Sequence, residues 1–318
     1  MTAEGGQQPS LTAGDRDAVT VIVPTYYRND TLAEAIESVY RQEYRPIELI
    51  VVDDSGEAHA EPVVEKYDEV TYVPLAENGG AQAARNVGFE RTTGAYVQFL
   101  DDDDRLRPDK FTTQVARFTD SVGVVYSALG ILETEEVIPP KPEVRGDVLE
   151  YALQHALWPC SNCTMLMKRS LLDEVMPVDH EHAADDVGLQ IEMARRTEFE
   201  YVDEPLIYSR NDLEDSLSAS PEYFESRLQL VSEYSDLYDR YPEYVRKRAL
   251  SGIHRAKAEQ LMAENDWSVE AIKSYGLSAY YAPSDRPLKT AEFALSVFGS
   301  TGLEVADQLR RVSRKHLT

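Results

Sequence analysis

The chain has little cysteine, little tryptophan, few lysines and no long apolar run. Two cysteines in 318 residues provide no disulfide framework for a small secreted fold and predict a reducing compartment. No apolar stretch reaches the ~18 residues that a spanning helix needs, so no membrane crossing is expected. No basic segment precedes an apolar one near the N-terminus, so no signal peptide is expected. Basic residues are also in deficit. There are 32 Lys and Arg against 57 Asp and Glu, a formal net charge of −25 with a pI near 4.6. That deficit excludes a nucleic-acid binder, which presents a basic surface to phosphates. Lysine is scarce beside arginine, and acids are spread along the whole chain. Proteins of salt-accumulating microbes have this composition, because a Debye length of ~3 Å at molar salt screens the self-repulsion. An acidic protein of an ordinary interior is the alternative.

What is present is an alternation. Residues 1–18 are polar and read as a disordered tail. Residues 19–23 are a β-branched strand that stops at Pro24, which cannot donate to a ladder. A helix follows, with Thr31 and Glu34 in a capping-box pattern and Leu32, Ile36 and Val39 on one face. Strands are expected at 47–52, 70–73, 95–100 and 123–126, with helices at 62–67, 78–91 and 108–118 between them. This order predicts a mostly parallel sheet with helices on both faces. Ligands of such sheets bind beyond the carboxyl ends of the strands. Pro24–Thr25–Tyr26, Asp53–Asp54 and Asp101–Asp102–Asp103–Asp104 all fall on that rim.

Residues 133–146 read as a loop, 164–168 as a strand, and Ser170 as the cap of a short helix. The helix at 187–196 carries Leu189, Ile191 and Met193 on its apolar face, and closing strands are expected at 199–202 and 206–208. From Pro221 the pattern is helical only: 223–238, 242–264, 269–281 and 290–316. Residues 256–283 loosely resemble one tetratricopeptide unit, although a generic helical hairpin fits as well. The last helix is apolar early and then gathers Arg310, Arg311, Arg314 and Lys315. That basic end either complements the helix dipole or contacts a membrane surface.

The four adjacent aspartates carry the chemistry. Crowded carboxylates raise one another's pKa unless a cation sits among them, and a divalent cation with hard oxygen ligands is one explanation. A helix-capping acidic loop is the other. Cys160 and Cys163 form a C-x-x-C pair. A redox pair or half a zinc site with His180 and His182 is conceivable, though the spacing of the two histidines does not suit zinc. Small residues packed beneath a site is the further reading. Trp158 either stacks on a sugar or belongs to the core.

Four pieces stand in order: V-I-V-P-T-Y-Y-R (21–28), I-V-V-D-D-S (50–55), N-G-G-A-Q-A-A-R-N-V-G (78–88) and F-L-D-D-D-D-R-L-R-P (99–108). A fifth, A-D-D-V-G-L-Q-I-E-M-A-R-R, spans 184–196. Together they resemble the family 2 glycosyltransferases, over roughly 19–208. The resemblance implies an α/β GT-A domain (Rossmann-like) over 19–215, with an α-helical C-terminal region over 216–318. It implies a metal-dependent, inverting hexosyltransferase acting in glycan, N-glycan or polysaccharide assembly. Pro24, Thr25 and Tyr26 would hold the ribose and base of the nucleotide, and Asp54 would accept from a base N–H. Arg85 would contact the donor, and Gly79 and Gly80 would let the backbone approach its phosphates.

Of the D-x-D element, Asp103 and Asp101 would hold Mg²⁺ or Mn²⁺. Asp102 would lie near the ribose, and Asp104 would orient the loop or coordinate the metal through water. A family pattern with a small residue in place of Asp102 is commoner. Asp186 would be the base, beside Asp185. The expected partners are a nucleotide-diphosphate sugar, with a UDP-sugar preferred, and a saccharide or lipid-linked acceptor. The expected location is cytoplasmic, with peripheral membrane contact through the last helix. The alternatives are a nucleotidyltransferase making nucleotide sugars, or a catalytically silent sugar-nucleotide binder. The first would want a Gly-rich basic loop where Pro24–Thr25–Tyr26 stands.

Overall fold

The computed structural model describes residues 17–178, 184–210 and 220–305. In chain order the first elements are β1 (Val19–Thr25), α1 (Asn29–Tyr40), β2 (Ile47–Asp53), α2 (Glu61–Val64), β3 (Val70–Pro74), α3 (Gly80–Phe89) and β4 (Tyr96–Phe99). Then come β5 (Arg105–Leu106), α4 (Lys110–Val115), β6 (Val122–Ile131), β7 (Val137–Ile138), α5 (Leu149–Leu153), β8 (Leu166–Lys168) and α6 (Arg169–Leu172). The chain continues with α7 (Asp185–Ala194), β9 (Glu198–Ser209), α8 (Pro221–Glu233), α9 (Ser235–Tyr238), α10 (Glu243–Asn265), α11 (Val269–Tyr281) and α12 (Arg286–Ser296). The chain divides into two compact units. The first comprises 17–148, 158–178 and 192–210; the second comprises 149–157, 184–191 and 220–305.

The first unit is built on one sheet, nine-stranded among the described residues, in the order β3-β2-β1-β4-β8-β6-β9-β5, with β7 paired to β6. β1, β2, β3 and β4 run parallel. Val19, Val21, Val23, Leu49 and Val51 pack against Leu32, Ala35 and Ile36 of α1. Every residue of β1 and β6 is buried, as expected for strands covered on both faces. The expected α/β sheet is therefore present. Its far half is mixed, because β8 runs antiparallel to both β4 and β6.

Several local expectations are corrected. β1 does not stop at Pro24; it continues to Thr25, with Pro24 opposite Val52. Strand alternation turns the missing N–H of Pro24 toward β4, whose ladder with β1 ends at Leu100 N–H bonding Ile22 O. No capping box forms at α1. Its N-cap is Arg28, Thr31 Oγ1 donates to Arg28 O, and Glu34 accepts from Arg105 and Arg210 instead. Ser170 lies inside α6, whose N-cap is Lys168. The two closing strands are one, β9, which absorbs its irregularity as register shifts against β6. The loop at 133–146 contains the short strand β7.

Gly88 seats α3 on the sheet. A Cβ there would lie 2.5 Å from Ile22 Cγ2 and 3.2 Å from Val52 Cγ2, and both side chains are fully buried. In an open helix Gly→Ala gains about 0.5–1 kcal/mol. Overpacking a stiff β-branched neighbour costs about 1–3 kcal/mol, so the clash wins. Gly88→Ala is expected to lower the melting temperature, by roughly 2–4 °C per kcal/mol lost. An unchanged or higher midpoint in a thermal scan would show that α3 is not tightly seated.

The second unit is helical. Ser220 and Ser268 cap α8 and α11 through their side chains. The expected helix at 223–238 is broken at Tyr234 into α8 and α9. α10 ends at Asp266, whose φ is 54°. α10 and α11 pair through Ala258, Met262, Ala271 and Tyr275, and Ser251 and Ser278 exchange hydroxyl-to-carbonyl bonds of 2.8 and 2.9 Å. No helix among the described residues is long and apolar enough to cross a membrane. The basic residues at 310–315 lie outside the described residues, as do His180, His182 and the tail to residue 16.

Candidate active site

The sheet brings the carboxyl ends of β1, β2 and β4 side by side. The exits of these strands carry Thr25 to Arg28, Asp53–Asp54 and Asp101–Asp104. β1 is buried throughout, and β2 and β4 are buried toward their carboxyl ends, where these side chains emerge.

Asp53 is structural. Its carboxylate accepts from Ser55 N–H, Ala60 N–H and Tyr72 OH at 2.7–2.9 Å. Burial pushes this carboxyl up, but those bonds outweigh it and hold the group below its usual range. Asp54 clasps the start of α3: Oδ1 accepts from Gly79 N–H at 2.7 Å and Oδ2 from Gly80 N–H at 2.8 Å. Each carboxylate oxygen keeps a second lone pair for a ligand donor. Gly80 has φ 84°, a conformation that a side chain would strain.

The four aspartates have distinct partners. Asp101 accepts from Arg85 Nη2 at 2.8 Å and from the Cys163 thiol at 2.9 Å. Asp102 accepts from Thr25 Oγ1 at 2.7 Å. Asp103 Oδ2 lies 2.6 Å from Arg28 Nη1, which also reaches Asp102 at 3.4 Å. Asp104 is buried; the Cys163 and Ser209 side chains act on its carboxylate, and its Oδ2 has no hydrogen-bond partner among the described residues. Desolvation raises the Asp101 carboxyl, but the Arg85 charge and the Cys163 bond hold it below its ordinary value. Burial pushes Asp102 up to about 6, against the pull of Thr25 and Arg28. Burial and the neighbouring Asp101 charge raise Asp103, and both effects raise Asp104 further.

A buried polar frame lies beneath the acids. Gln98 in β4 donates to Asn162 O and Cys163 O. Lys110 and Gln114, one turn apart on α4, both donate to Thr164 O. Together they fix the 162–164 loop that carries Cys163. Lys110 is fully buried, and desolvation pulls its ammonium down to about 7 against the Cys163 and Asp104 charges. Burial and the Asp101 and Asp104 charges raise the Cys163 thiol. Its thiol donates to Asp101 in this structure.

A divalent cation fits this strand end. One ligand atom from each of Asp101, Asp104 and Cys163 lies within 4.8 Å of the others, and Asp104 presents an orphaned buried oxygen. Orphaned buried oxygens cost free energy unless a proton or cation meets them. The carboxylate oxygens of this set are hard donors, which suit Mg²⁺ or Mn²⁺.

On the rim, Tyr26 and Tyr27 are exposed and meet edge to face at 4.7 Å. Tyr27 also lies 4.7 Å from the His59 ring and donates to Glu57. Trp158 is 53 % exposed and so is not a core residue. Pro24, Thr25, Tyr26, Asp54, Arg85 and the four aspartates thus share one strand edge. Asp186 is in the second unit, in the first turn of α7, where its Oδ1 accepts from Val187 N–H. Arg28 and Lys110 escaped the sequence reading. Cys163 was read as a small residue packed beneath a site, and it donates to Asp101.

A mixed nine-stranded sheet with helices and an acid-lined carboxyl edge defines a GT-A-like domain. Residues 20–176 match the family described as Glycosyl transferase family 2. The chain is 26% identical over 280 residues to an uncharacterized glycosyltransferase, RP339, of Rickettsia prowazekii, with 82% of this chain and 83% of that protein covered. Among solved structures it resembles S. aureus TarS 1-349 in complex with UDP-GlcNAc, with a TM-score of 0.62 at 16% identity over 93% of this chain and 92% of that one. It also resembles the mannosyltransferase PcManGT from Pyrobaculum calidifontis in complex with GDP-Man and Mn²⁺. That TM-score is 0.53 at 19% identity, over 95% and 87% of the two chains. The likeness to the two structures is one of fold. The matched family and the relative are both described as glycosyltransferases.

Proposed function

We propose that this chain is an inverting, metal-dependent hexosyltransferase that takes a sugar from a nucleotide-diphosphate sugar, UDP-linked by preference. The observation that carries the reading is the end of β4, where Arg28, Arg85 and an orphaned Asp104 oxygen surround carboxylates beside the Thr25–Tyr26 exit of β1. Tyr26 and Tyr27 offer faces for the base, and Asp54 offers lone pairs for a base N–H. Asp102, held by Thr25, faces the ribose. Asp101, Asp103 and Asp104 would hold Mg²⁺ or Mn²⁺, which when bound neutralises the charge of the departing diphosphate. Asp186 takes the proton of the acceptor hydroxyl. The acceptor oxygen forms its bond to the anomeric carbon as the bond to the diphosphate oxygen breaks on the opposite face. The anomeric configuration therefore inverts.

The acceptor in this reading is a saccharide or lipid-linked saccharide met at the cytoplasmic face of the membrane, for glycan, polysaccharide or protein-glycan assembly. Two features of the C-terminal region support that setting. Trp267, Phe293, Val297 and Phe298 are exposed, with Trp267 bonded to Val297 O and Phe293 over Gly276. The basic cluster at 310–315 follows them in sequence. The acid excess elsewhere suits a high-salt interior. Flotation with anionic liposomes at working salt tests the membrane contact: truncation before residue 290 is expected to abolish it, and equal flotation of both forms would refute it.

Incubation with a panel of nucleotide sugars and Mn²⁺ tests the activity. Donor turnover is expected with one of them, lost on chelation and restored by Mn²⁺ or Mg²⁺. No turnover with any donor would favour the silent binder. Pyrophosphate-dependent turnover of the nucleotide sugar would favour the nucleotidyltransferase.

A further inference from the structure

Two arginines neutralise the acid run, and they are held differently. Arg85 projects from α3 and is 9% exposed where it meets Asp101. Arg28 lies on the loop between β1 and α1, next to Tyr27 with its φ of 55°, and is 33% exposed. Its guanidinium sits 2.6 Å from Asp103 Oδ2, one of the oxygens that the proposed reading assigns to the divalent ion beside the Asp101–Asp104 group. A dication and a guanidinium cannot share that oxygen without strong like-charge repulsion. Arg28 can be displaced, because its side chain borders solvent. Arg85 cannot move without opening the packing around it. A displaced Arg28 would remain on the Thr25–Tyr26 rim, where a planar guanidinium can bind phosphate oxygens in bidentate fashion.

We propose that Arg28 is an internal cation that occupies the metal's place on Asp103 and transfers to the diphosphate of the donor when the metal binds. This rests on the reading of the strand end as a metal and nucleotide-sugar site. The contact makes the site a selective one. Metal alone must displace the guanidinium with nothing to receive it, whereas metal together with a nucleoside diphosphate supplies Arg28 with a new partner. Metal and diphosphate affinities are then coupled, and the coupling is reciprocal.

The test measures free Mn²⁺ by electron paramagnetic resonance, with and without UDP or GDP, on the full chain and its Arg28→Gln and Arg28→Lys variants. Arg28→Gln is expected to bind Mn²⁺ alone about tenfold more tightly than the parent, and the diphosphate in the presence of Mn²⁺ about tenfold more weakly. The enhancement of Mn²⁺ binding by diphosphate should collapse accordingly. Arg28→Lys retains the charge and the fold while losing the fork, and should show intermediate shifts in the same directions. If the parent binds Mn²⁺ and diphosphate but both variants match it within twofold, or bind Mn²⁺ more weakly, the exchange is refuted while the site reading stands. A parent that binds neither Mn²⁺ nor diphosphate refutes both.

Discussion

Asp103→Asn is expected to cut sugar transfer by about 10²–10³-fold, the usual effect of removing one preorganised group from the charge-stabilising set of an active site. That corresponds to about 3–4 kcal/mol of transition-state stabilisation. Stability should not follow. Asp103 is one of four adjacent carboxylates, and burial with the Asp101 charge already raises its pKa. Removing its charge relieves repulsion while the isosteric amide still meets Arg28. The variant should therefore melt at or above the parent temperature while losing donor turnover. Steady-state turnover and a thermal scan on the same preparation separate the two effects. Activity within about fivefold of the parent would mean that the cation, if bound, is held by Asp101 and Asp104 without Asp103.

Asp186→Asn should be equally damaging by a different route. Removing a positioned general base costs about 10²–10⁴ in kcat. The proposed donor site is built from the exits of β1, β2 and β4, so donor affinity should survive, and the loss should fall on kcat. Titration with the unreacted nucleotide sugar, compared with single-turnover transfer, provides that split. Retained kcat would exclude Asp186 as the base. Retained kcat with weakened donor binding would make it a binding residue.

Parts of this molecule were legible because they are local. The near-continuous runs of Val, Ile and Leu in β1 and β2 mark strands buried on both faces, and Leu32, Ile36 and Val39 mark the face of α1. The three-residue β8 was legible as a strand, but its place was not. It pairs with Tyr96–Val97 and with Val124–Val125, and nothing in Leu166–Lys168 specifies either partner. The Thr31–Glu34 pattern misled for a related reason. A capping box is a weak local preference, and Glu34 found two arginines, Arg105 and Arg210, on other segments. Lys110 and Gln114 are polar residues of α4, and nothing local marks them for burial. They are buried because Thr164 O, 54 and 50 residues away, requires donors there.

The acid run shows the division most plainly. Four carboxylates after a buried strand must emerge at its carboxyl end, since charge cannot follow apolar residues into the core. The sequence by itself therefore determined that Asp101–Asp104 stand on the rim of an α/β sheet, beside Asp54 and Thr25. Tertiary structure alone decided the partner of each acid: Arg85 and Cys163 for Asp101, Thr25 for Asp102, Arg28 for Asp103, and an open oxygen on Asp104. Those partners lie 16 to 77 residues away in the chain. Strand order and loop closure bring them to the rim, and neither is written in the four aspartates.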